Sequence, residues 1–229
     1  MLKGSLLKAQ SAMSDQRRIV VAITGASGAI YAVRLLQVLV QADVEVHLMI
    51  SPSGSAVIRQ ELQIDVDPRS PDIATILGFR PAWEVNDSIH RLIEAAAGAK
   101  DRIRCHRYDD FLTPVASGSF LTDAMVVCPC SGTTLSGIAR AASANLVQRA
   151  AEVHLKERRK LVLVPRETPL STIQLENMHR LSAAGAVILP AMPGWYHGIS
   201  GIDSLVHFVV SRILDQIGID NQLLQRWCE

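Results

Sequence analysis

The sequence predicts an α/β fold, a Rossmann-like, doubly wound parallel sheet in a single domain. Short apolar runs, several of them rich in β-branched residues, recur at Ile19–Thr24, Val44–Ile50, Ala124–Cys128, Leu161–Val164 and Ala186–Leu189. Each has the length and composition of a strand buried on both faces. Stretches of helical periodicity separate most of them, and such alternation gives parallel strands joined by right-handed crossovers. The first run ends in Gly25-Ala26-Ser27-Gly28-Ala29, a strand-to-helix turn that lets backbone approach an anion.

Taken in order, the first strand passes through this turn into a helix that ends near Gln41. Val44–Ile50 is the second strand and Pro52–Leu62 the second helix. Residues 65–104 break the rhythm with Pro68, Pro71 and Pro81, hold a helix over Asp87–Ala97, and read as an excursion from the core sheet. Ala124–Cys128 resumes the alternation, followed by helix near Thr133–Arg140 and a charged helical pattern over Leu146–Arg159. Leu161–Val164 and Ala186–Leu189 are the last strands, Ser171–Ala184 and Ile202–Ile217 the last helices. The first sixteen residues lack a signal-peptide core and read as a disordered leader, which leaves 17–229 as the domain.

Composition narrows the function classes. With 48% hydrophobic residues in 229 the chain can bury a large core. A net charge of +1 gives no broad field for nucleic acid, and 4% aromatics are too few for base stacking. The apolar runs are too short to span a bilayer. Cys105, Cys128, Cys130 and Cys228 form neither a CxxC pair nor a zinc set. The expectation is a reduced, cytoplasmic protein with no metal, no nucleic acid and no membrane.

Ligands of open α/β sheets bind outside the carboxyl ends of strands, and the candidate chemistry collects there. Gly25 and Gly28 open backbone N–H groups to a phosphate and Ser27 adds a hydroxyl; the pattern is neither GxGxxG nor a P-loop. Ser51 stands where a dinucleotide fold places an acid for the ribose, which suits flavin mononucleotide better than NAD. Ser131 and Thr133 offer hydroxyls at a helix start, where capping alone also explains them. Ala116 and Ser117 lie in a small-residue loop, either a plain turn or a face for a ring or an anion.

Arg149 and Lys156 are seven apart and share a helix face, whereas Glu157, Arg158 and Arg159 read as solvated charges. Arg166 follows a buried strand directly, and Glu167 either pairs with it or moves a proton. Glu61 closes the second helix. Gly194-Trp195-Tyr196-His197-Gly198 is either a core plug or a phenol beside an apolar wall. Trp227 is a docking anchor or a lid over a neighbouring site.

Together these strings resemble the flavin prenyltransferase family. The likeness is carried by TGASGA at Thr24–Ala29, VVCPCSGTTLSGIA at Val126–Ala139, RAAEVHLKERRKLVLVPRETPLS at Arg149–Ser171 and GAVILPAMPGWYHG at Gly185–Gly198. It implies a metal-independent enzyme that joins the five-carbon unit of dimethylallyl monophosphate to N5 and then C6 of reduced FMN. The prenylated FMN serves a partner decarboxylase, as in ubiquinone metabolism. The resemblance implies FMN contacts at Gly25, Ala26, Ser27, Ser51, Ser131, Thr133 and Arg149, and substrate contacts at Ala116, Ser117, Lys156, Arg166, Tyr196 and Trp227. Ser27, Glu61 and Glu167 match catalytic positions, Glu167 in the relay that helps phosphate leave. It also implies a homododecamer with sites between subunits. Phe111 stands where the family pattern has tryptophan.

The bare residues agree with such chemistry. Magnesium-dependent prenyltransferases use DDxxD motifs, and here Asp109-Asp110 is followed by Phe111. Arg, Lys and Tyr can stabilise a departing phosphate instead. Two other functions compete. A flavin-dependent cysteine decarboxylase of the same superfamily needs a Met-Asn clamp, which Pro190-Ala-Met-Pro-Gly-Trp-Tyr196 lacks. An FMN-binding regulatory subunit carries an acidic tail, and this chain ends Arg226-Trp-Cys-Glu229.

Overall fold

The computed structural model describes residues 16–84 and 86–224. Strands β1 (Arg18–Ile23), β2 (Glu45–Ile50), β3 (Ile103–His106), β4 (Ala124–Cys130), β5 (Lys160–Pro165) and β6 (Val187–Ile188) form one sheet in the order β3-β2-β1-β4-β5-β6. Every pairing is parallel. The α-helices among the described residues are α1 (Ala29–Gln41), α2 (Pro52–Leu62), α3 (Ile73–Leu77), α4 (Asp87–Ala97), α5 (Gly132–Ala139), α6 (Leu146–Lys156), α7 (Thr172–Ala183) and α8 (Ile202–Ile217). None is long and apolar enough to cross a membrane.

The two faces of the sheet follow from the two-residue period of a strand. In β1, Ile19, Val21 and Ile23 enter the layer built with α1, α2 and α8. Val20 and Ala22 enter the layer built with α5, α6 and α7. Both faces are covered, which is why the strands read as unbroken apolar runs.

Several boundaries differ from expectation: the last strand covers Val187–Ile188 rather than Ala186–Leu189, and the helix expected over Leu146–Arg159 ends at Lys156. The excursion does not stay outside the sheet, because Ile103–His106 returns as edge strand β3 against β2. Only Ile103 of its four residues is buried, and an edge strand needs no continuous apolar run. Strand β4 runs on to Cys130 rather than stopping at Cys128, with Cys130 paired to Pro165 across a register shift.

The excursion is fastened to α1 by polar contacts. Arg34, 0% exposed, donates Nη2 to Oε2 of Glu84 at 2.9 Å, and its Nη1 lies 3.0 Å from Nε2 of His207 on α8. Gln37 donates to the carbonyls of Leu77 at 2.8 Å and Phe79 at 3.0 Å. Burial lowers the Arg34 pKa, and the Glu84 carboxylate opposes that shift. A charge so deep is tolerated only when paired.

Strand order reverses between β1 and β4. A crevice opens at the carboxyl ends of strands where the order reverses in this way.

Candidate active site

Thr24 joins the two loops of that crevice. Its Oγ1 donates to the carbonyl of Pro129 at 2.8 Å and accepts from the amide of Ser131 at 2.9 Å. Gly25 is fixed by proximity, since a Cβ there would stand 2.5 Å from Cβ of Ser53. Gly28 has φ +107°, a conformation that side chains rarely adopt. Ser51 caps α2, accepting from the amide of Gly54 at 2.9 Å, with Oγ 3.1 Å from that of Ser53. Ser131 caps α5, accepting from the amide of Thr134 at 3.3 Å and donating to its Oγ1 at 3.0 Å. Thr133 is exposed in the first turn of α5, and Ser27 lies in the loop between Thr24 and α1. The fold thus brings Gly25, Ala26, Ser27, Ser51, Ser131 and Thr133 to the adjoining ends of β1, β2 and β4.

Glu61 is more than an exposed helix end. Its carboxylate accepts from the amide of Gly28 at 2.9 and 3.0 Å and from that of Ala29 at 2.8 Å. The amino end of a helix favours negative charge, and here the chain's own carboxylate occupies it.

Along α6, Arg149 donates Nε to the carbonyl of Ala116 at 3.1 Å and Nη1 to Glu152 at 3.3 Å. Two predicted ligand positions therefore touch each other. Lys156, at the end of α6, pairs with Glu157. It also lies beside Gly118, where a Cβ would be 2.7 Å from Nζ. Ser117 pairs its hydroxyl with that of Ser119 at 2.9 Å. Arg159 corrects an expectation. It is half-buried rather than part of a solvated face, donating Nη1 to the carbonyl of Phe120 at 2.7 Å and Nη2 to that of Gly118. Its partners are main-chain carbonyls of a distant loop, so no charge pattern announced them.

Arg166 is half-buried, and its Nε has no hydrogen-bond partner. Glu167 is exposed and forms no ion pair with it; Nε2 of Gln174 lies 3.5 Å from Oε2 of Glu167. Both residues line a pocket of about 40 Å³ with Leu170, Met178 and Pro190. Tyr196, 62% exposed, meets Phe208 edge-on at 5.9 Å. His197 stacks on Phe208 at 5.2 Å. A second groove shares Pro190 and Met192 with the first and adds Phe208 and Arg212 of α8. Arg212 gave no signal in the sequence because an exposed arginine inside an amphipathic helix is ordinary. Trp227 lies outside the described residues.

The cysteines beside the crevice are inert. Burial pushes the Cys130 thiol up to about 12 and the Cys128 thiol higher still, so neither supplies a thiolate. No group of three His, Cys, Asp or Glu side chains suited to a metal occurs among the described residues. The larger cavity, about 1050 Å³ and lined by Val38, Gln41, Asn86 and His207, opens at the carboxyl end of α1. It is thus at the opposite end of the sheet from the crevice.

Comparison with known proteins now decides the family. The sequence model of the flavoprotein family matches residues 7–214. A relative from Pseudomonas aeruginosa, named flavin prenyltransferase UbiX, is 47% identical over 217 residues, 95% of this chain and 97% of the relative. The chain belongs to the flavin prenyltransferase family. The crystal structure of AnUbiX (PadA1) with FMN and dimethylallyl pyrophosphate is similar at TM-score 0.74 and 38% identity, covering 93% of this chain and 98% of that one. A dodecameric FMN-dependent Ubix-like decarboxylase from Escherichia coli O157:H7 is similar at TM-score 0.73 and 39% identity, covering 93% and 100%.

Proposed function

We propose that this chain, over residues 17–229, transfers the dimethylallyl group of dimethylallyl monophosphate to N5 and then C6 of reduced FMN. The observation that carries the reading is the cation and carboxylate at the carboxyl end of β5. Arg166, whose Nε has no hydrogen-bond partner, lines one pocket with the exposed carboxylate Glu167, in a chain of this family; Lys156, toward the amino end of β5, would reach the prenyl phosphate from a neighbouring subunit.

The residues fit the flavin. The amino end of α1 already holds an anion in the form of Glu61. Gly25, Ala26, Ser27, Ser51, Ser131, Thr133 and Arg149 would hold FMN, which accepts the prenyl carbon. Ala116, Ser117, Lys156, Arg166, Tyr196 and Trp227 would hold the prenyl phosphate. The allylic C–O bond breaks and its electron pair leaves with the phosphate, where Lys156 and Arg166 offset the developing charge. Glu167 passes a proton to the departing phosphate, and Ser27 and Glu61 act on the flavin side.

The pocket at Arg166 and Glu167 is too small for these ligands, and the rings of Trp195, 73% accessible, and Tyr196 are exposed. Ligand sites of this kind usually enclose about 300–1,000 Å³. Large exposed apolar groups mark association surfaces, and both facts support a homododecamer with sites completed between subunits. The product would serve a partner decarboxylase in the cytoplasm.

The test is anaerobic incubation of the protein with reduced FMN and dimethylallyl monophosphate, without added metal, followed by mass spectrometry of the flavin. A gain of one five-carbon unit with release of phosphate is expected. Unmodified flavin from protein that bound it, after a repeat with the diphosphate, would overturn the proposal.

A further inference from the structure

We infer that Arg159, which belongs to none of the ligand sets above, is a positioning residue for the prenyl phosphate. It holds the Ser117–Phe120 turn, whose Gly118 lies against Lys156. The inference rests on the prenyl-transfer reading.

The turn would be loose by itself. It is closed by one main-chain bond, from the amide of Phe120 to the carbonyl of Ser117 at 3.3 Å. One side-chain bond adds to it, from the amide of Ser119 to Oγ of Ser117 at 3.3 Å. Serine and glycine restrict the backbone little. What fixes the turn comes from the α6 side. Arg149 holds the carbonyl of Ala116, and Arg159 holds those of Gly118 and Phe120. Hydrogen bonds from an ionised donor are the strong ones. The planar fork of a guanidinium can bind two carbonyls of one turn at once, which a lysine ammonium does less well.

Arg159 is itself held. Its amide donates to the carbonyl of His154 at 2.8 Å, and its Nη1 is 3.4 Å from Oγ1 of Thr122. That hydroxyl is 2.9 Å from Nε2 of His154, whose Nδ1 is 2.7 Å from the carbonyl of Ala150. The chain of contacts runs from the body of α6 to the turn. Glu157, the neighbouring carboxylate, pairs with Lys156 instead. The Arg159 donors go to neutral carbonyls, so its charge is not cancelled there and adds to the field felt by an anion at the turn.

The experiment compares Arg159→Gln and Arg159→Lys with the wild type. Prenyl-transfer rates are measured against dimethylallyl monophosphate at saturating reduced FMN, with separate titrations of FMN and of inorganic phosphate as a competitor. Arg159→Gln is expected to raise KM for the prenyl phosphate about tenfold and to weaken phosphate inhibition in proportion, with kcat and the Kd for FMN little changed. Arg159→Lys is expected to fall between. Loss of FMN affinity in step with KM, or a lower melting temperature with unchanged KM, would make Arg159 merely structural and overturn the inference. If Arg159→Gln does not fold, Arg159→Lys decides, and an unchanged KM refutes the proposal. If the wild type prenylates no flavin, the function fails first. Calorimetric binding of inorganic phosphate then tests Arg159 alone, and equal affinity in wild type and variant would sink it.

Discussion

Gly118 has no side chain where Lys156 needs room. A Cβ would meet Nζ of Lys156 and Oε1 of Glu157, both ends of flexible side chains rather than backbone. Gly118→Ala is therefore expected to move the melting temperature by no more than about 2 °C while raising KM for the prenyl phosphate several-fold. Steady-state rates measured beside a thermal melt check this, and unchanged KM would show that Lys156 has no fixed place. Glu167 makes the complementary case. It is exposed and forms no ion pair with Arg166, which agrees with the proton transfer proposed above. Glu167→Gln keeps the shape, and FMN affinity should hold while turnover falls by about 10²-fold or more. Wild-type turnover in that variant removes Glu167 from the mechanism. Both positions were legible in the sequence, because a strand end and a small-residue loop mark them. The seat of Glu61 on α1 and the carbonyl partners of Arg159 were not, since each joins groups more than thirty residues apart.

Helix α1 shows what an element can and cannot disclose. Its end at Gln41, and the limits of α2, α4 and α8, coincide with expectation because glycine, proline and apolar period mark them. Nothing local announced that Arg34, in the middle of α1, would be buried against Glu84 of the excursion. Strand β3 was hidden for a related reason, as half-exposed edge residues leave no apolar run. The pair gives a test at this scale. Removing one partner of a buried ion pair leaves an uncompensated charge and typically costs about 3–5 kcal/mol. Glu84→Ala should lower the unfolding free energy by about 3 kcal/mol, measured in urea. The double change Arg34→Met with Glu84→Leu should cost much less, because no charge is stranded. Equal losses would mean that the pair matters only through packing.

At the scale of the whole molecule, burial of three histidines on separate parts of the fold ties stability to pH. His47 on β2, His154 on α6 and His207 on α8 are each lowered from 6.5 to about 4, chiefly by burial. Neighbouring charge adds to this. His106 and Arg104 act on His47 against the opposing Glu45, Arg159 acts on His154, and Arg34 acts on His207 against Asp203. The unfolded chain takes up these protons near 6.5 and the folded chain only near 4. Between those values the unfolded state holds more protons, so stability falls as pH falls. The contribution is fully present above about pH 6.5 and is lost as pH passes down through 4. Each full shift corresponds to about 3 kcal/mol, against a total of about 5–15 kcal/mol for a domain. Urea unfolding at fixed protein concentration should show a midpoint that drops steeply from pH 6.5 to pH 4, with an uptake of more than one proton. In His154→Gln the slope should flatten by about one proton, because that site no longer titrates in either state. A wild-type midpoint that stays level to pH 4.5 would mean that the three rings are protonated in place, and that the fold accommodates their charge.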